Sequence, residues 1–466
     1  MKTEASAEIF IRWDQDRIPP PHALGISTVV IPAARPLAVR RALAQGYRVY
    51  LEIDAGAAAS FKPAGAVAGV IVKGALPSGQ LARLSQFPVP VRVAEDRGKW
   101  PHIRTNWVTR NKDVLQVTGR SSQPWLENNE ALIRIAAERA DADAPPVLLT
   151  YAWQPVTVSD LDQGPRLEHY LVAMAEAGSF GADLLLPLHE RFERALIMGD
   201  PDARADWDEM RRFLDFYAWN VPGQHRPIAN VGVVTADPMR AFEVMNLLAR
   251  HNLPFVSIGP ATVGSRRLAD LDLVIVLDDL DGTALQQVTQ FATGGGTVLV
   301  AGTSAVRNAA RPPEGVRPGS DPGLTPSLPW RQAGAGVSSD KSVSYTVGKG
   351  RVIERQDAPV DPNTFALEMR QLLGTDRRVV DIWNGITVLV APFAAPAGDA
   401  MVLTAINYAA QPLPVQVRVR GTFSEVQLEA PGQPAIRLPF EQRNGGTEFV
   451  LPALRVGGRV FLNRFP

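Results

Sequence analysis

The stretch Arg48-Val49-Tyr50-Leu51-Glu52-Ile53-Asp54 decides how the first half of this chain is read. β-Branched and aromatic residues favour a strand, and alternation puts Tyr50, Glu52 and Asp54 on one face with Val49, Leu51 and Ile53 on the other. Past a Gly/Ala/Pro-rich segment, Ala68-Gly69-Val70-Ile71-Val72 repeats the pattern without the charges. Working outward, similar runs stand at residues 8–13, 26–31, 89–93, 114–118, 147–151 and 183–188, eight in all. Helix-compatible segments separate them, among them 36–44, 125–140, 166–176 and 206–219. Strands alternating with helices build parallel βαβ units, and eight units in about 220 residues fit a (β/α)8 TIM-like barrel better than an open sheet.

The rest of the chain changes rhythm twice. Residues 221–227 read as a linker, followed by strands at 229–235, 255–258, 273–277 and 297–301 and helices at 238–251 and 283–293. After a Pro/Gly-rich excursion at 305–340, strands at 342–347 and 351–354 and a helix at 361–373 complete a doubly wound α/β layer of the flavodoxin or amidotransferase kind. From 379 onward the helical period disappears, and short strands with turns every 8 to 12 residues read as a β-sandwich. The expected division is 1–222 for the barrel, 226–376 for the α/β domain and 379–466 for the sandwich.

Composition narrows the function. The 466 residues carry 48 basic and 48 acidic side chains, so no global field draws the chain to nucleic acid or to anionic lipid. No apolar run reaches the roughly 20 residues of a spanning helix, and the start lacks a signal-peptide core; a leader removed earlier would mean a periplasmic or secreted address, and otherwise the cytoplasm. Cysteine is absent, which excludes disulfides, thiolate metal sites and cysteine nucleophiles. The six histidines show no metal-ligand spacing, so no catalytic metal and no cofactor are expected. The turn after 229–235 has neither GxGxxG nor a P-loop, and the α/β layer without cysteine cannot run amidotransferase chemistry.

The candidate site is the C-terminal mouth of the barrel. Glu8, Phe10, Arg12 and Asp14 share one face of the first strand, as Tyr50, Glu52 and Asp54 do in the third and Gln116, Thr118 and Arg120 in the sixth. Such polar faces suit the lumen, as a satisfied network or as a substrate site. The fifth and eighth strands lead into Glu95-Asp96 and His189-Glu190. Two carboxyl groups across a pocket are what glycosidic hydrolysis needs, one to protonate the leaving oxygen and one to attack the anomeric carbon or activate water. Asp14, Asp54, Glu95 and Glu190 are the catalytic candidates. The competing reading caps a helix with Glu190 or pairs it with Arg191 or Arg194, and pairs Asp96 with Arg97.

Trp13, Trp100, Trp107, Trp125 and Trp153 fall at strand ends or in connections on that face. Indole faces pack against sugar C–H groups, although core packing is the alternative for each. Trp13, Trp107, Trp125 and Trp153 with Arg120 and His189 are the substrate-binding candidates, and His102, Arg104, Asn106, Asn111, Asn128 and Asn129 could supply hydroxyl partners. The expected partner is carbohydrate, cleaved or, on a degenerate barrel, merely bound.

Several phrases of the second half resemble glycoside hydrolase family 42 and its relatives, the β-galactosidase kind. They are residues 228–237, 272–278 with 293–302, Val347-Gly348-Lys349-Gly350-Arg351-Val352, and 402–408 followed by 412–420. The resemblance implies a catalytic barrel, a cysteine-less amidotransferase-like domain through which the chain self-associates, and a small β-domain. Such hydrolases carry a glutamate acid after strand four and a nucleophilic glutamate after strand seven. Here those expected strands end Val72-Lys73-Gly74 and Tyr151-Ala152-Trp153, so neither residue is carried over.

Overall fold

The computed structural model describes residues 8–464 except 64–65, 77–79, 85, 112–113, 140–144, 154–163, 220, 265–267, 281, 302–327, 333–335, 340–341 and 356–361; it describes only the backbone of 81–82, 104–111, 114–124, 222–223 and 362–363. Seven parallel strands close the barrel in the order β1 (Ile9–Arg12), β2 (Thr28–Pro32), β3 (Arg48–Asp54), β4 (Gly69–Lys73), β5 (Val91–Glu95), β8 (Leu148–Thr150) and β9 (Asp183–Pro187), with β9 returning to β1. The expected count of eight is corrected by the run at 114–118. It is a strand, but it belongs to β7 (Val114–Glu127), which pairs antiparallel with β6 (His102–Asn111) in a separate ribbon between β5 and β8. Alternation identifies a strand and says nothing of its partner, and two strands two residues apart are at hairpin spacing.

Period-two alternation fills the lumen in layers. Phe10, Val30, Tyr50, Ile71, Ala94, Leu148 and Leu185, one from each barrel strand, form a buried apolar plug. Phe10 and Tyr50 meet edge to face with centroids 5.1 Å apart, and Gly69 makes the room, since a Cβ there would lie 2.4 Å from the Tyr50 ring. Below the plug, Arg92 Nη2 bonds Asp183 Oδ2 at 2.6 Å, and Asp183 also accepts the Glu8 N–H at 2.7 Å. The barrel is therefore a packed core with polar layers on either side of the plug.

The opposite strand faces bury Ile11, Val29, Val49 and Leu184 under helices, including Leu167–Phe180 and Pro201–Tyr217. This cluster continues into Leu389, Ala391 and Phe393 of the C-terminal strands. The middle layer has parallel strands Val231–Val234, Phe255–Ile258, Leu273–Val276, Thr297–Ala301 and Gly350–Arg355, with Ser342–Val347 added antiparallel. Two apolar clusters cover its two sides. The C-terminal strands form two antiparallel sheets around one shared core.

Candidate functional site

Above the plug, the inward faces of β1, β3 and β4 bring Arg12, Glu52 and Lys73 together. Arg12 Nε donates to Glu52 Oε2 at 2.6 Å, its Nη1 pairs with Asp14, and Lys73 Nζ stands 3.7 Å from Glu52 Oε1. Burial works against the guanidinium charge, but the hydrogen bond and charge of Glu52 and the charge of Asp14 outweigh it, so Arg12 holds its proton more tightly than usual. Asp54, one pleat above Glu52, is exposed at the end of β3 and precedes the short Ala55–Ala58 helix without capping it.

Glu193 braces this rim from behind. It lies on the Glu190–Met198 helix that follows β9, is fully buried, and accepts the Asp14 N–H on Oε1 at 2.8 Å. Burial pushes its carboxyl up to about 8 against the pull of the Asp14 N–H and the Arg12 charge. Burial thus favours the neutral form of the carboxyl that fixes the chain at Asp14.

The other two catalytic candidates stand apart from this cluster. Glu95, at the end of β5, accepts Arg97 Nε at 2.7 Å and Nη2 at 2.5 Å. Burial would raise its pKa, but the arginine outweighs burial and holds it below the ordinary value. Glu190 lies on the surface, its side chain 57% exposed and paired with Arg194 one turn on. His189 caps that helix by accepting the Arg191 N–H at 3.3 Å; burial first, then the charges of Arg191 and Arg194, lower its pKa.

The tryptophans divide. Trp13 is a correction: it follows Ile11 on the helix-facing side of β1, is fully buried, and donates Nε1–H to the Arg17 carbonyl at 2.8 Å, so it cannot serve as a ring platform. Trp125, partly buried, lies under Arg250 of the middle layer, whose guanidinium carbon is 3.3 Å from the ring centroid, so one face of the indole is taken by an arginine. Trp153, three residues past the end of β8, stands 5.3 Å edge-on from Trp100 and 4.8 Å from the His169 ring. Trp100 also meets Tyr151 and Tyr170, and the buried indole N–H groups of Trp100 and Trp153 have no hydrogen-bond partner among the described residues. Trp107 and Arg120 stand on the ribbon in register with Thr118 and Asn106, and their side chains lie outside the described residues. Asn128 and Asn129 are buried at the ribbon's end.

Sequence reasoning passed over Glu193 and Glu176. Glu176 carries a legible signal, a single acid in the otherwise apolar run 170–180; Glu193 carries none. Among the described residues no three His, Asp or Glu side chains converge as metal ligands, and no helix is long and apolar enough to cross a membrane.

No family model and no curated protein matches this chain. Solved structures do. α-L-Fucosidase isoenzyme 2 from Paenibacillus thiaminolyticus aligns over 99% of this chain and 100% of its own, with a TM-score of 0.56 at 12% identity. The β-galactosidase from Bacillus circulans sp. alkalophilus aligns over 98% of this chain and 99% of its own, with a TM-score of 0.52 at 10% identity. The chain has a glycoside hydrolase-like multidomain fold. At such identities the backbone path is what is shared, and residue roles rest on the geometry above.

Proposed function

We propose that this chain is a glycoside hydrolase acting on an oligo- or polysaccharide at the C-terminal mouth of the barrel, with Asp54 and Asp14 as its working carboxyl groups. The observation that carries the reading is the rim itself: β1 and β3 present Asp14 and Asp54 above a sealed plug, on the face where barrels do chemistry. Glu193 fixes the backbone at Asp14, and Arg12 orients its carboxylate. The anomeric outcome follows from the separation of the two carboxyl groups, short for a retaining pair and longer, with room for a water, for an inverting one. Trp153 supplies an indole beside that opening.

Turnover of a panel of aryl-glycosides, followed by NMR to read the anomer released, tests this. Asp54→Asn and Asp14→Asn are each expected to lower kcat by at least about 100-fold with the fold retained. A second reading, a glycan-binding protein without turnover, rests on the ion pairs that hold Asp14, Glu95 and Glu190. Saccharide binding with no hydrolysis across the panel would replace the first reading by the second.

A further inference from the structure

Glu176 lies on the Leu167–Phe180 helix, outside the barrel lumen, and is completely buried. Four donors converge on it. The Asn129 N–H at 3.0 Å and the Tyr408 hydroxyl at 2.6 Å reach Oε1; the Asn129 side-chain amide at 2.5 Å and the Tyr151 hydroxyl at 3.2 Å reach Oε2. They come from three places: Asn129 from the end of the ribbon, Tyr151 from the end of β8, and Tyr408 from the C-terminal sandwich. Burial pushes the carboxyl up to about 7 even against these bonds, so it is an expensive group to keep in the interior.

Its neighbour shows what the arrangement holds. Asn129 grips Lys99 at both backbone groups, accepting the Lys99 N–H on Oδ1 at 2.8 Å and donating Nδ2–H to the Lys99 carbonyl at 2.7 Å. Lys99 sits in the loop after β5, and the next residue, Trp100, is the centre of the aromatic cluster beside the mouth. One hydrogen-bonded line therefore runs Tyr408–Glu176–Asn129–Lys99, from the accessory sandwich to a loop on the rim of the barrel.

We propose that Glu176 is a positioning residue through which the C-terminal sandwich sets the loop at residues 96–101, so that the mouth keeps its shape only while the Tyr408 hydroxyl is in place. The line is a physical connection with two ends, one in each domain, and no second route of this kind is needed to couple them. The inference concerns the loop's conformation and stands whether or not the chain cleaves sugars.

Trypsin reads it directly, because the Arg97 and Lys99 side chains on this loop are 50% and 55% exposed. In the 466-residue chain, Tyr408→Phe removes one oxygen and keeps the ring. It is expected to speed cleavage after Arg97 or Lys99 about tenfold while far-UV circular dichroism is unchanged, since local opening then outruns global unfolding. Tryptophan emission shifts to the red as Trp100 gains water. Thr404→Val is the control: it deletes another bond across the same interface, Thr404 Oγ1–H to the Ser179 carbonyl at 2.9 Å, which lies off the line, and should leave the loop's cleavage rate at the wild-type value. Glu176→Gln should resemble Tyr408→Phe; if it fails to fold, Tyr408→Phe against Thr404→Val decides. Equal loop cleavage in those two variants, or a Tyr408→Phe protein cut no faster than wild type, overturns the proposal.

Discussion

Arg12 Nε meets Glu52 Oε2 at 2.6 Å inside the barrel, and the same guanidinium holds Asp14 at the rim. One cation thus serves two carboxylates, the buried Glu52 and the partly exposed Asp14. Breaking such a pair from one side strands a charge, whereas replacing both partners does not. Arg12→Met should lose about 3 kcal/mol in urea unfolding, somewhat less than a fully isolated pair because Lys73 stands near Glu52. Arg12→Met combined with Glu52→Leu should recover part of that loss. A double variant less stable than Arg12→Met would contradict the argument.

Two buried glutamates give stability a pH dependence whose sign is fixed. Glutamate ordinarily titrates near 4.5, but burial lifts Glu193 to about 8 and Glu176 to about 7. Between those values the folded chain holds protons that the unfolded chain has released, so stability is greatest below about pH 4.5 for these groups and falls as pH rises to about 8. Each pKa unit corresponds to about 1.4 kcal/mol, which puts the combined effect at no more than about 8 kcal/mol. Glu193→Gln is neutral at every pH. It should flatten the fall in Tm between pH 5.5 and pH 8.5 relative to wild type, and an unchanged slope would show that Glu193 is ionised in the fold.

The sequence carried the fold unevenly, for physical reasons. The helix at 36–44 and the strands at 255–258, 297–301 and 342–347 coincide with Pro36–Ala44, Phe255–Ile258, Thr297–Ala301 and Ser342–Val347, because Gly and Pro punctuate them and one period dominates inside. The lumenal faces of β1 and β3 were legible through alternation, and Arg12 and Glu52 do meet there. The barrel count failed at 114–118 because pairing is a long-range choice that alternation does not encode. Glu193 escaped for a similar reason, since its partner Asp14 is 179 residues away and nothing local in its helix marks it. Trp13 was misplaced by composition outweighing parity: alternation already puts it opposite Arg12 and Asp14.

Trp125 ties the base of the ribbon to the middle layer. The Arg250 guanidinium covers its ring, and Arg250 Nε donates to the neighbouring Leu126 carbonyl at 2.7 Å. Trp125→Ala should cost about 2–4 kcal/mol through lost packing and the uncovered cation, and Trp125→Phe about 1 kcal/mol, measured by denaturant unfolding. With the ring covered by arginine, saccharide affinity should be the same in Trp125→Phe and wild type. A tenfold loss of affinity with stability intact would instead make this indole a sugar platform.

Glu190 and Asp54 are the pair of residues that most sharply separates surface chemistry from site chemistry. Glu190 is bound to Arg194 one helical turn away on an exposed face, and such pairs contribute about 0.3–0.5 kcal/mol. Asp54 stands at the end of a lumen-lining strand, two residues above the buried Glu52. Glu190→Gln is therefore expected to change Tm by less than about 2 °C and to leave any glycosidase turnover at the wild-type rate. Asp54→Asn should leave Tm equally unmoved and abolish turnover. If the outcomes are reversed, with activity lost at Glu190 and kept at Asp54, the working carboxyl lies on the helix after β9, and the mouth between β1 and β3 is structural.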